Sequence, residues 1–202
     1  MQEAVSQFTE EENTLVLVGP FEDALPEPDG GMGDIQVGVL RAGGAYTLIA
    51  CEPAPAGARL FDMTGELTDI PSRYSVQVGK DTHLDLSPSI GHEEMMDSCF
   101  WRFMNHSCTP NARIDGQQVI ALTGIQPGEE ITFHYSTTEF AMAEPFDCWC
   151  GSENCAGRIA GFSAASDTER ARLRPWLARH LLTAGPPASN GAPESAAGAA
   201  GP

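Results

Sequence analysis

The sequence predicts a mainly β protein, and three observations carry that reading. Short runs rich in β-branched and aromatic residues recur at 35–40, 46–49 and 74–78. Gly and Pro punctuate the gaps between them, and only one long stretch ahead of residue 160 has helical spacing. At 202 residues with 42% apolar content, the chain has the size of one medium domain with an appendage.

Taken in order, residues 1–36 read as an acidic extension. The first 34 residues hold nine acidic side chains and no basic one, and the apolar run at 15–18 is an edge-strand candidate. The strands of the body follow. Pro53-Ala-Pro-Ala-Gly57 and Ile125-Gln-Pro-Gly-Glu129 are turn sequences, with Pro preset for the second turn position and Gly supplying a positive φ. Between them, apolar residues at 95, 96, 99, 100, 103 and 104 predict a helix over 93–104. Residues 163–183 should form two short helical pieces, started by Ser166 or Asp167 as N-cap and interrupted by Pro175. The tail, 184–202, is built of Gly, Ala, Pro and Ser with a single charge, a composition that predicts disorder.

Charge narrows the classes of function. With 28 acidic against 11 basic residues the net charge is −17, which argues against direct nucleic-acid binding through phosphates and favours basic partners. No stretch approaches the ~18 apolar residues of a membrane span, and the start has neither a charged n-region nor an apolar h-region. The expectation is an intracellular protein without a membrane partner, cytoplasmic in a bacterium, with the nucleus open to a eukaryotic one. In such a compartment six cysteines, at 51, 99, 108, 148, 150 and 155, suggest metal before disulfides.

The densest signal is Cys148-Trp-Cys-Gly-Ser-Glu-Asn-Cys155, a C-x-C-x4-C run. Three thiolates at that spacing can face one tetrahedral Zn²⁺, and Gly151 lets the backbone fold round the ion. Cys108 is the best fourth ligand because it lies in a short polar loop, Asn105-His-Ser-Cys-Thr-Pro-Asn111; His106 and His134 are the alternatives.

Three segments in this order, Arg102-Phe-Met-Asn-His-Ser-Cys-Thr-Pro-Asn111, Gly128-Glu-Glu-Ile-Thr-Phe-His-Tyr135 and the cysteine run, resemble the SET-domain protein lysine methyltransferases with a post-SET zinc motif. The family writes them R-F-I-N-H-S-C-x-P-N, G-E-E-L-x-F-D-Y and C-x-C-x4-C. Upstream, Ala50-Cys-Glu-Pro-Ala-Pro-Ala-Gly57 aligns with the turn after the family's cofactor-binding G-x-G strand. That register puts Ala45-Tyr-Thr47 in place of G-x-G, and His134 stands where the family has Asp. The resemblance covers residues 37–162 and divides them into a SET domain over 37–143 and a post-SET zinc motif over 144–162; the C-terminal helical segment over 163–183 lies beyond it. It implies the SET (β-clip) fold, in which the segment near Tyr135 passes beneath the loop near Asn105 in a pseudoknot-like threading.

The resemblance also implies a chemistry, methyl transfer from S-adenosyl-L-methionine to a lysine of a protein or peptide. A lysine of pKa ~10.4 must lose its proton first, and a narrow apolar channel ending at a sulfonium promotes that loss without a dedicated base. By resemblance Tyr135 orients the methyl group and the amine, with Tyr74 as a second channel tyrosine. Phe133 occupies the position that tunes methyl number, and Phe there implies di- or trimethylation. Ala45, Tyr46, Arg102, Phe103, Asn105, His106, Tyr135 and Trp149 fall where the family binds the cofactor. Cys108, Cys148, Cys150 and Cys155 fall where it binds zinc. Phe140, Phe146 and Phe162 are expected to pack the zinc flap. Two other readings remain open, a methyltransferase for a small-molecule or peptide amine and a catalytically silent module that binds a partner.

Overall fold

The computed structural model describes residues 14–16, 35–42 and 44–183; the expected disorder of 184–202 and most of the acidic extension lie outside these described residues. Among the described residues, thirteen short strands and three short α-helices make the structure mainly β. The first sheet joins β1 (Thr14–Val16), β2 (Val37–Ala42) and β3 (Ala45–Ala50), all antiparallel, with β1 outermost, as an edge strand near 15–18 requires. A second sheet orders β4 (Arg59–Asp62) beside β10 (Gln118–Ala121) and β9 (Ala112–Asp115). A third sets β5 (Glu66–Thr68) and β6 (Val76–Gly79) on either side of β7 (Thr82–Asp85). Two pairs complete the set: β8 (Asn105–His106) with β11 (Thr132–Phe133), and β12 (Phe146–Asp147) with β13 (Arg158–Ile159).

The three sheets close on one core. Val39, Leu48, Leu60, Leu84, Ile114, Val119, Ile125 and Ile131 have no accessible surface, and each comes from a different strand or turn. Period-2 alternation therefore converges from several short strands onto one apolar volume. Two smaller clusters lie outside it: Cys108, Cys148 and Ile159 near the late cysteines, and Leu173, Leu177 and Leu181 along the C-terminal helices.

The two predicted turns are clasped to each other. Ala54 and Ile125 exchange backbone hydrogen bonds of 3.0 and 2.9 Å, and the Gly128 amide donates to the Ala50 carbonyl at 2.8 Å. In the second turn the Glu129 amide closes onto the Gln126 carbonyl, with Pro127 at the second position and Gly128 at φ 84°. The first turn differs from expectation, because Ala58 closes onto Pro55 and puts Ala56, not a proline, second.

The predicted helix over 93–104 is shorter than its spacing suggests. The α-helix α1 covers His92–Ser98, breaks at Cys99 (φ −110°, ψ 51°) and continues as a 3₁₀ turn over Phe100–Phe103. The tighter turn carries Trp101 into the core, where it is 2% exposed and its Nε1 donates to the Thr64 carbonyl at 2.8 Å. An uninterrupted helix would have kept Trp101 off the 96/99/103 stripe. At the other end α2 (Asp167–Leu173) starts under the Ser166 side chain, which accepts from the Glu169 amide. Pro175 lies in a 3₁₀ turn that separates α2 from α3 (Arg179–Thr183). Among the described residues no helix is long and apolar enough to cross a membrane.

Candidate active site and metal centre

The chain returns to one place three times: at the end of the 3₁₀ turn, at β11, and in the cysteine run. β8 and β11 pair in parallel, Asn105 beside Thr132 and His106 beside Phe133. The Ser107 amide donates to the Phe133 carbonyl at 3.1 Å, and Asn111 accepts from the Thr132 amide at 2.9 Å while donating to the Glu130 carbonyl at 2.8 Å. These bonds stitch the loop around Asn105 to the segment leading to Tyr135, the crossing that a pseudoknot-like threading demands.

Tyr135 lies at the junction of two cavities. The narrower, about 70 Å³, is lined among others by Tyr74, Trp101, Arg102, Phe133, Tyr135 and Glu139. The wider, about 600 Å³, is lined by Arg102, Asn105, His106, Tyr135, Phe146 and Trp149, among others. Tyr74, Arg102, Met104, Tyr135 and Met142 belong to both walls. The Tyr135 hydroxyl donates to the Met104 carbonyl at 3.0 Å. Its proton is thereby committed, and its lone pairs remain for whatever enters the cavity. Burial pushes this phenol up to about 12, so it stays protonated at neutral pH.

The rings around Tyr135 are closely spaced, with Phe133 at 4.8 Å, His106 at 5.2 Å and Phe146 at 5.9 Å between centroids. Half-exposed Tyr74 lies under the Arg102 guanidinium, whose carbon is 3.4 Å from the ring centroid. Arg102 Nε is buried with no hydrogen-bond partner among the described residues. A carboxylate-bearing nucleoside ligand in the wider cavity would suit that group, and Trp149, 91% exposed at the rim, offers a free aromatic face. On these grounds the residues present fit S-adenosylmethionine.

Ala45, Tyr46 and Phe103 are not among the residues that line these two cavities. Phe103 is buried against the Tyr46 ring at 5.5 Å, and the Asn105 side chain, which does line the wider cavity, donates to the Tyr46 carbonyl at 3.2 Å and to Glu130 Oε1 at 2.7 Å. Ala45 and Tyr46 lie on β3, which pairs with β2. Met142, Phe146, Asp147 and Glu139 line the cavities without having belonged to any motif; of these only Phe146 stood out in the sequence, as a flap-packing residue. Phe140 and Phe162 pack instead against the Leu173 cluster.

Four thiols gather behind this wall. The sulfurs of Cys108, Cys148, Cys150 and Cys155 all lie within 4.8 Å of one another, and Cys108 and Cys148 are 4.0 Å apart. A tetrahedral Zn²⁺ with Zn–S of about 2.3 Å needs sulfur–sulfur edges of roughly 3.8 Å, so the set fits the ion. Burial pushes the Cys108 thiol up to about 12. At Cys150 the effect of burial is outweighed by backbone amides of Ser152 and Cys108, and the thiol falls to about 6. A dication would compensate the buried thiolate that burial alone disfavours.

His106 connects the thiols to the phenol. Its Nδ1 accepts from the Tyr135 amide at 3.3 Å, which puts the ring proton on Nε2, 3.3 Å from Cys108 Sγ. Burial, then Arg172, pushes this imidazole down to about 4, so it is neutral. His106, Cys108 and His134 form a second close group, yet His106 spends both nitrogens on this link. His134 is fully buried, 4.6 Å from the His106 ring, and burial pushes it down to about 3. Glu169 Oε1 approaches its Nε2 to 3.4 Å without hydrogen-bond geometry.

The chain is similar to proteins of known family. The SET domain family model matches residues 45–136. The chain is 37% identical over 133 residues to Methyltransferase flvH of Aspergillus flavus, covering 63% of this chain and 67% of that protein. It is 35% identical over 132 residues to the histone-lysine N-methyltransferase, H3 lysine-36 specific, of Gibberella zeae, covering 57% of this chain but 14% of that protein's length. Among solved structures it is similar to KRYPTONITE in complex with mCHG DNA and SAH, at TM-score 0.47 and 24% identity, over 61% of this chain and 29% of that one.

Proposed function

Since the chain belongs to the SET-domain methyltransferase family, we propose that it is an S-adenosylmethionine-dependent protein-lysine N-methyltransferase acting on a basic protein or peptide segment, with two or three methyl groups added. The observation that carries this reading is the pair of cavities meeting at Tyr135, one of about 600 Å³ and the other of about 70 Å³. When bound, S-adenosylmethionine supplies an electrophilic methyl group, and Zn²⁺ on the four cysteines supplies the charge that holds the late part of the chain folded.

The protein's own residues align and exclude. Asn105, His106 and Trp149 border the wider cavity, with Arg102 ready for a carboxylate. Phe133, Tyr135, Tyr74 and Trp101 line the narrow one together with the charged side chains of Arg102 and Glu139. The Tyr135 oxygen accepts polar contacts from both sides and holds the two reactants in line. The −17 charge favours encounter with a basic substrate. Histone H3, named for the Gibberella relative, is the first acceptor to try.

Calorimetry with S-adenosylmethionine, followed by labelled methyl transfer to histone H3 and to a mixture of small amines, tests the proposal. Label on a lysine supports it; label only on small amines would replace the protein acceptor by a metabolite. Absence of cofactor binding would overturn the enzyme reading. The methyl-number proposal has its own check. Phe133→Tyr adds a hydroxyl to a ring that lines the 70 Å³ cavity and whose centroid is 4.8 Å from that of Tyr135 in the parent. Mass spectrometry should show products shifting towards monomethyl-lysine, and an unchanged ratio would remove Phe133 from that role.

A further inference from the structure

Glu139 is an unexpected wall residue. It lies one turn after Tyr135, its amide donates to the Tyr135 carbonyl at 3.0 Å, and it lines the same narrow cavity as Tyr135 and Phe133. The residue is 8% exposed. One carboxylate oxygen accepts from the Gln77 amide at 2.6 Å and from the Thr138 hydroxyl at 3.4 Å. The other stands 3.7 Å from Nε2 of buried His83 on β7. His83 Nδ1 is buried with no partner among the described residues. Among the described residues no arginine or lysine pairs with this carboxylate. Nothing in the fold requires an acid here, since an amide would satisfy Gln77 and Thr138 equally well.

The reading of the narrow cavity as an amine channel, on which the inference rests, gives this acid a task. We propose that Glu139 accepts the proton that the substrate ammonium must lose before methylation, and that His83 is the next acceptor on the way out. In the step, an N–H bond of the ammonium breaks and leaves its electron pair on nitrogen, while an O–H bond forms on the Glu139 carboxylate. The proton then passes to His83 Nε2, restoring the carboxylate for a second round.

The surroundings suit the task. Burial raises the Glu139 carboxyl to about 7, the range in which a general base both accepts and returns a proton. Burial, then neighbouring His180, lowers His83, so it is neutral and would hold a proton received from Glu139 only in passing. Titratable and charged groups around Glu139 are His83 and Asp85 on β7, His180 on α3 and Tyr135 on its own turn; across the cavity stand Arg102, Tyr74, Arg73 and Glu144. His180, whose Nε2 lies 2.8 Å from the Thr138 carbonyl, also borders a separate cavity of about 180 Å³ beside Gln77, Lys80 and Asp81.

Glu139→Gln in the full chain tests this, because the amide keeps the acceptor for Gln77 and loses only the basic oxygen. The binding probes are S-adenosylhomocysteine and sinefungin, its analogue with an amine where the methyl group would sit. In the parent, the preference for sinefungin should rise about tenfold between pH 6 and pH 8, as the carboxylate forms through its raised pKa. In the variant this rise should vanish while S-adenosylhomocysteine affinity stays within twofold; an identical pH dependence in both proteins overturns the proposal. With histone H3 as acceptor, the variant should lose about 100-fold in kcat near neutrality, with partial rescue by Glu139→Asp. An unchanged kcat and pH profile overturns it. Should H3 not be methylated while both probes bind, the acceptor reading fails and the binding comparison still decides Glu139. If neither probe binds the parent protein, the cofactor reading fails and the proposal falls with it.

Discussion

Tyr135→Phe is expected to lower methyl transfer by about 10² to 10³-fold, with S-adenosylhomocysteine affinity within a few-fold of the parent. The hydroxyl lies at the junction of the two cavities and gives its proton to the Met104 carbonyl at 3.0 Å. Its lone pairs are therefore the acceptors available where methyl group and amine meet. Removing one oxygen leaves Phe133, His106 and Phe146 packed as before around the ring. The loss should fall on kcat, because the wider cavity keeps its other walls. Single-turnover measurements with labelled S-adenosylmethionine read the effect directly. Turnover within threefold of the parent would take Tyr135 out of the chemistry.

Cys108→Ser carries the other large effect. The parent should hold about one zinc per chain on its four thiols, and the variant should lose it on dialysis. Structural zinc contributes on the order of 10 kcal/mol to folding in small metal sites, so residues near 144–159 should become susceptible to protease. The damage should reach the cavities by two routes. Cys148, Trp149 and Cys150 form part of the wider wall, and His106 bridges Cys108 Sγ to the Tyr135 amide. Cofactor affinity and turnover should therefore fall together, unlike the Tyr135→Phe outcome. Full zinc occupancy in the variant would mean that another residue supplies the fourth ligand, with His106 and His134 the nearest in space.

Local chemistry made much of this readable in one dimension. C-x-C-x4-C spacing is a ligand signal because thiolates and a glycine turn around one ion constrain neighbours along the chain. The Gln126-Pro-Gly-Glu129 turn follows from the fixed φ of proline and the positive φ open to glycine. The Ser166 cap and the interruption at Pro175 are likewise contacts within a few residues. Long-range packing was not readable. The 93–104 stripe predicted one helix, but burying Trp101 against Thr64 tightened its second half. The 45–47 backbone aligned with a cofactor motif, and only the fold shows that its Tyr46 carbonyl accepts from the Asn105 side chain, 59 positions along the chain.

What the sequence alone determined is therefore the β character, the punctuation, the spacing of the late cysteines and the motif order, all governed by interactions between near neighbours. What the tertiary structure decided is which side chains share a cavity: Tyr74 under Arg102, Phe146 beside His106, and Glu139 on the wall below Tyr135. Such meetings depend on how strands far apart in the chain converge on one core, and no spacing along the chain encodes the direction in which a buried carboxylate ends up facing.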